Sequence, residues 1–418
     1  MRILIAIAIF GSGLWGGIQW VRHQTFVNPY ARLCELIEQK IYLEAKDTVE
    51  WNQVCRARAA LVTPSTSRET ILRDSRFLMG RLGVSHLEIY HPNEVARLWR
   101  GVNVETGIES EFVDGELVIF QVHENSPASR AGLQAGDLIL SIQDTSPAPA
   151  LARTIGGLMR IARGAEKFEV LVEPMEIKID ERPSYVEIDP KTVLIKVPSF
   201  RAEFFNETRW NQFIAKVPRT ASMIVDLRGN GGGNFVAGLR FLAPFMCGEQ
   251  EIGFLIKPRA KLSREAVLPN DLRNQEQLTV LDAHDLIRLK TEAAPRCLTA
   301  RVTVLIDGQT ASTAEMVAQA LRDYLDARVL GVSSAGQLLV GVWYDFPELG
   351  EGWRVSVPEA VYQTRRGKRL EGAGVRVDRN LYYELKEMVV GQDSWILRAL
   401  TDFRREPAMQ DSRRSVSK

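Results

Sequence analysis

Three segments of this chain carry residue types that could do chemistry. Asp226-Leu-Arg-Gly-Asn-Gly-Gly-Gly233 directly follows a hydrophobic run, and four of the five positions 229–233 are glycine. Such a stretch lets backbone approach a ligand and aims N–H groups at it. A plain turn and a phosphate cradle are both open readings, although neither GxxxxGK(S/T) nor GxGxxG is present. An oxyanion hole would need the same amides. Gly308-Gln-Thr-Ala-Ser-Thr-Ala-Glu-Met316 follows the apolar run 301–306 and opens a helical pattern. Ser312 at such a strand-to-helix turn could present its hydroxyl beside a helix N-terminus, or could simply cap the helix. Glu315 suits the first helical turn. Gly83-Val-Ser-His-Leu-Glu88 offers a further candidate, His86, with the Ser85 hydroxyl as possible support. An imidazole with a pKa near 6.5 can take a proton at neutral pH and return it to a leaving group. Taken alone, His86 is one of five histidines and could equally be a surface or cap residue.

The surrounding pattern says what must position these groups. Residues 25–96 read as helical, with apolar positions at three- and four-residue spacing in 31–45 and 67–82. Pro64-Ser65-Thr66-Ser67 is a break and a cap for the second helix. Residues 97–175 turn β-rich: Gly115–His123 alternates, Ser126-Pro-Ala-Ser-Arg-Ala-Gly-Leu-Gln-Ala-Gly-Asp137 follows, then the strand-like Leu138–Ile142. This stretch resembles a PDZ domain of the bacterial type. The resemblance implies a module that adds a peptide as a strand and holds its terminal carboxylate on backbone amides, here at Gly107 and Ile108. Residues 176–385 alternate strand-like runs (193–197, 222–226, 301–306, 328–332) with helical ones (235–242, 314–326), the mark of an α/β layer fold. Residues 386–418 read as a C-terminal tail with a polar, basic end.

Together the motifs resemble the S41 serine peptidases, which include the C-terminal processing (tail-specific) and the tricorn-like proteases. Asp226–Gly233 is similar to that family's DLRxNxGG, Gly308–Glu315 to its GxxASASE, and Leu370-Glu-Gly-Ala-Gly-Val-Arg-Val-Asp378 to its EGxGVxPD. The resemblance implies a ClpP/crotonase-like α/β core. It also implies Ser312 as nucleophile, with an oxyanion hole from the Thr313 amide and a glycine of the 231–233 run, Gly232 before Gly231. One departure matters. Tail-specific members keep a base lysine in FGKGxVQ, whereas this chain has Ala335-Gly-Gln-Leu-Leu-Val-Gly341, with Gln337 at the lysine position. A glutamine amide cannot act as a base. The tricorn-like branch has a G-x-S-H segment similar to Gly83–His86, which implies His86 as the base. Ser85 and Gln337 would support the site, and Glu371 would be the third member. Lys368, in the basic stretch 365–368, is a weaker substitute base. The alternative to a serine endopeptidase is an inactive pseudo-peptidase that holds chain ends through its PDZ module. A non-proteolytic acyl-transfer enzyme on the same fold is the remaining option.

Composition bounds the rest. The chain has 418 residues, with 45% hydrophobic and 25% charged, which argues against a disordered chain and against a multi-span membrane protein. Lys+Arg 53 against Asp+Glu 52 leaves no basic field for nucleic acid. Residues 1–24 hold an apolar run, Ile3–Trp20, after Arg2 and before Arg22 and His23. It reads as an uncleaved membrane anchor or a cleaved secretory signal, with a buried cytosolic helix as the remaining reading. The first two place the protein outside the cytoplasm, in the periplasm or at the cell surface. Cys34/Cys55 and Cys247/Cys297 could then be disulfides, or all four could be free thiols. With no Cys/His cluster, nucleotide loop or flavin motif, no metal and no cofactor are expected. The implied partners are a protein or peptide substrate, a PDZ ligand with a free C-terminus, and the membrane through the N-terminal segment.

Overall fold

The computed structural model describes residues 26–43, 45–257 and 264–405. The apolar run 3–20 and its anchor or signal reading lie outside the described residues. Among those described, no helix is long and apolar enough to cross a membrane.

The central layer is a six-stranded sheet in the order Arg379–Asn380, Arg328–Gly331, Arg301–Ile306, Ser222–Asp226, Thr192–Lys196, Ser184–Asp189. The first five run parallel, and Ser184–Asp189 closes the edge antiparallel. Parallel strands covered on both faces read as continuous apolar runs, which is why the four strand-like runs are visible in the sequence. One face sends Val193, Ile195, Val225, Val304 and Ile306 into the main core with the helices Phe235–Met246 and Thr313–Leu325. The other face sends Leu194, Ile224, Leu305 and Leu330 against the helix Ser394–Arg405. That helix buries Trp395 and Ala399, so the segment read as a tail contains a packed element. The polar pattern of 404–418 had masked the apolar stripe just before it.

A second sheet runs Glu88–Tyr90, Arg354–Thr364, Glu251–Ile256, Leu286–Lys290, Glu265–Val267, with Leu339–Asp345 also paired to Arg354–Thr364. Three helices, Pro29–Lys40, Ala45–Ala59 and Arg68–Gly80, pack on its Ile89, Val355 and Val357 face. Cys34–Cys55 joins the first two of these helices. Ser67 caps the third, accepting from Thr70 N–H at 3.2 Å. The helical pattern 31–45 breaks at Ile41 because the Tyr42 N–H is taken by Pro358 O at 2.8 Å. A second disulfide, Cys247–Cys297, ties the end of Phe235–Met246 to the segment before Arg301.

The third body is a five-stranded antiparallel sheet, Ile108–Val113, Glu116–Val122, Leu138–Ile142, Gly157–Arg163, Glu166–Val172, with its own apolar core. It hangs from a two-strand stalk, Val102–Glu105 with Met175–Lys178. It docks on the core through Val113, Val118 and Met388, and through Lys196 Nζ donating to Gln121 Oε1 at 2.6 Å.

Candidate active site

Ser312 sits at the turn from strand Arg301–Ile306 into helix Thr313–Leu325, 8% exposed. Its backbone is at φ 57° and ψ −126°, a strained conformation for a non-glycine residue. Three contacts enforce the turn. Ser312 N–H donates to Gln337 O and to Glu315 Oε2, both at 3.0 Å, and Ala311 N–H donates to Asn230 O at 3.0 Å. Such an over-determined turn raises a hydroxyl above the strand end.

The glycine run wraps this turn. A Cβ on Gly232 would stand 2.7 Å from Ser312 Cβ and 3.0 Å from Thr313 N, so only glycine allows the approach. Thr313 Oγ1 donates to Gly233 O at 2.9 Å. Asn230 holds the loop, its Nδ2 donating to Val197 O and its Oδ1 accepting the Gly232 N–H, both at 2.8 Å. Among the described residues the N–H groups of Gly231 and Thr313 have no acceptor, whereas that of Gly232 is engaged.

The third group comes from across the fold. Glu371 accepts from Ser85 N–H at 3.1 Å, from Ser85 Oγ at 2.9 Å and from Leu338 N–H at 2.8 Å. The Ser85 hydroxyl lies 2.9 Å from His86 Nδ1. A hydroxyl has one proton, and here Glu371 receives it, so Ser85 Oγ accepts from His86 Nδ1–H. The Nε2 lone pair of His86 is thereby free for a proton. Burial pushes the His86 pKa down to about 4, so the ring is neutral at pH 7. His86 also has positive φ, 61°, and Gly341 gives it room: a Cβ there would be 3.0 Å from His86 Cβ and 3.1 Å from Cδ2.

Residues 337–341 therefore link the two halves, accepting from Ser312 at one end and touching Glu371 and His86 at the other. Ser312 and His86 are not hydrogen-bonded to each other. Gln337 acts through its backbone, with N–H to Glu315 Oε2 at 2.9 Å. Lys368 Nζ instead donates to Gln319 at 3.1 Å, two turns along the helix from Ser312. Glu315, read from sequence only as a first-turn acid, is a hub. Its buried carboxylate accepts from Ser312 N–H, Gln337 N–H, Gly336 N–H (2.8 Å) and Ser334 Oγ (2.6 Å). Burial raises its pKa against the lowering pull of these four bonds. Asn230, the asparagine of the DLRxNxGG pattern, and Gly341, which ends the Ala335–Gly341 segment, gain from the structure roles that the motifs do not assign them. Below the glycine run, buried Asp226 accepts from Arg228 Nε (2.8 Å) and Nη2 (2.6 Å). Burial pushes the Asp226 carboxyl up, but the guanidinium outweighs it and leaves the pKa below the usual carboxylate range.

In the third body, Gly107 has φ 81°, and a Cβ there would meet Ser126 Cβ at 2.2 Å. Ile108 N–H reaches Thr106 Oγ1 at 3.3 Å. The strand Ile108–Val113 that follows is an edge strand, packed beside helix Pro149–Thr154.

Residues 191–381 match the profile of peptidase family S41, and residues 118–173 match that of the PDZ domain. The chain carries an S41 peptidase domain and a PDZ domain. Its relatives include the carboxyl-terminal-processing peptidase 2, chloroplastic, of Arabidopsis thaliana, 25% identical over 67% of this chain and 53% of its own. A carboxy-terminal-processing protease of Bartonella bacilliformis is 24% identical over 69% of this chain and 63% of its own. The chain thus spans less than two thirds of these relatives' lengths. Among solved structures, the photosystem II D1 C-terminal processing protease aligns over 86% of this chain and 93% of its own (TM-score 0.51, 17% identity). Mature CPAF complexed with lactacystin aligns over 90% and 98% (0.54, 13%), and the tricorn protease over 90% and 36% (0.51, 15%). These likenesses show that the S41 core and its PDZ module share a fold with those proteases.

Proposed function

We propose that this protein is an extracytoplasmic serine endopeptidase acting through Ser312, His86 and Glu371, with Ser85 relaying between the last two. The observation that carries the proposal is the chain Glu371–Ser85–His86, which fixes the imidazole tautomer and leaves Nε2 as the base. In this reading Ser312 Oγ attacks the scissile carbonyl carbon while His86 Nε2 takes its proton. The oxyanion is held by the Thr313 N–H and by the glycine run, through Gly231 and, once it releases Asn230, Gly232. His86 returns the proton to the leaving amine, and water then hydrolyses the acyl-enzyme. The PDZ module delivers a chain with a free C-terminus through the Gly107–Ile108 loop and the open edge of Ile108–Val113.

Two disulfides support an oxidising compartment, and the apolar run 3–20 would anchor or export the chain. The adaptor reading draws its support from the engaged Gly232 amide and from the missing Ser312–His86 bond. Labelling with a fluorophosphonate separates the two. The peptidase reading expects labelling of the wild type and loss of it in Ser312→Ala. Turnover in Ser312→Ala or His86→Ala should fall on the order of 10⁴- to 10⁶-fold. Equal labelling of wild type and Ser312→Ala would remove the assignment.

A further inference from the structure

We propose that Tyr90, Trp99 and Trp343 form a subsite for a large apolar side chain, aromatic or long aliphatic, on the first or second substrate residue after the scissile bond. This rests on the peptidase reading of Ser312 and His86.

The placement follows from strand geometry. Glu88, Ser356 and Trp343 stand in one row across three paired strands, and Tyr90, Arg354 and Asp345 in the next. Side chains two residues apart on a strand share a face. A side chain on Gly341 would point at His86 and at Ser356 Oγ, 2.7 Å away. Trp343, two residues on, therefore stands on the His86 side of the sheet, about 7 Å farther along. There it stacks on Tyr90 with ring centroids 4.2 Å apart, and Trp99 meets it edge-on at 5.6 Å. The opposite face of the same strands is closed by the helical region.

Trp99 and its neighbour Leu98 are 41% and 42% exposed at the end of helix Pro92–Arg100. The same helix end is fastened to the other half of the site. Arg201 donates to Leu98 O and, at 3.0 Å, to Arg97 O. Its neighbour Phe200 donates its N–H to Gly232 O at 2.9 Å. The aromatic group thus borders the base on one side and is braced from the oxyanion loop on the other.

Direction comes from the chemistry. The leaving amine takes its proton from His86, so the chain beyond the broken bond departs past the imidazole. An extended chain advances about 3.3 Å per residue, which brings the first or second residue after the bond level with Trp343. An apolar side chain there would leave water for three aromatic faces.

The test compares two pairs of quenched-fluorescent peptides, identical within each pair except for Phe or Ala at the first position after the scissile bond in one pair and at the second in the other. In wild type the Phe peptide has the higher kcat/KM in at least one pair. Trp343→Ala should lower that pair's Phe-to-Ala ratio of kcat/KM about 10- to 100-fold, and Trp343→Phe should restore most of it. Trp99→Ala, at an exposed position, should lower the ratio less, and it serves if Trp343→Ala folds poorly. Ratios that stay within threefold of wild type for both pairs in both Ala variants overturn the subsite, even if all the peptides are cleaved more slowly. Absence of fluorophosphonate labelling in the wild type would instead remove the peptidase reading, and this proposal with it.

Discussion

Replacing Ser85 by Ala cuts the link between Glu371 and His86 while leaving both in place. Glu371 keeps its bonds from the Ser85 backbone at 3.1 Å and from Leu338 N–H at 2.8 Å, so the loop should hold. What disappears is the acceptor 2.9 Å from His86 Nδ1. In the proposed mechanism that bond strengthens as the ring becomes charged in the transition state. A hydrogen bond to a charged group contributes about 1.5–3 kcal/mol, and each 1.36 kcal/mol is tenfold in rate, so kcat/KM should fall roughly 10- to 150-fold. This is far less than the loss expected on removing the nucleophile. Steady-state cleavage of a fluorogenic peptide gives the rate, and thermal unfolding shows whether the fold persists. The reasoning is refuted if kcat/KM stays within threefold of wild type with an unchanged melting temperature. A loss equal to that of Ser312→Ala would also refute it, because Ser85 would then be more than a relay.

The acid limb of kcat/KM should have its midpoint near pH 4, since burial holds the His86 pKa at about 4; a midpoint at 6 or above contradicts a buried base. Over the same range stability should drop. Between pH 6.5 and 4 the unfolded chain binds the His86 proton and the folded chain does not, so acidification costs about 3 kcal/mol in all, with no effect above pH 6.5. Urea melts of wild type and His86→Gln at pH 7 and pH 4.5 measure the difference. Gly341→Ala would drive a methyl into Ser356 Oγ and His86, costing about 1–3 kcal/mol of stability and at least tenfold in kcat/KM; wild-type activity would show that the imidazole need not stay put. Arg228→Ala strands buried Asp226 without its partner, and chemical denaturation should register a loss of about 3–5 kcal/mol.

The legible parts of the fold were those whose local pattern and tertiary role agree. The strands at 193, 222, 301 and 328 were visible because both faces are buried. The helix after Ser312 was visible because its apolar stripe and its first-turn acid point the same way. The break at Ile41 was not, because the competing acceptor, Pro358 O, lies more than 300 residues downstream. Nor was the strand Arg354–Thr364, which pairs with three others and reads in sequence as a mixed run around Pro358.

At the site, residue type alone carried a good deal. A serine at a strand-to-helix turn and a glycine run after a buried strand are statements about chemistry, and the sequence contains them in full; that Gln337 stands at a base position came only from the resemblance to the tail-specific proteases. It also contains Ser85-His86, which the resemblance to the tricorn-like segment marks as a candidate base outside the core. What it does not contain is distance. Whether Ser85 points to Glu371, whether Gly232 offers its amide to a ligand or to Asn230, and whether Glu315 caps one helix or ties two loops together are settled by hydrogen bonds between residues far apart in the chain. A hydrogen bond depends on angles and on a few tenths of an ångström, and packing the whole core fixes these, whereas the composition of a motif does not.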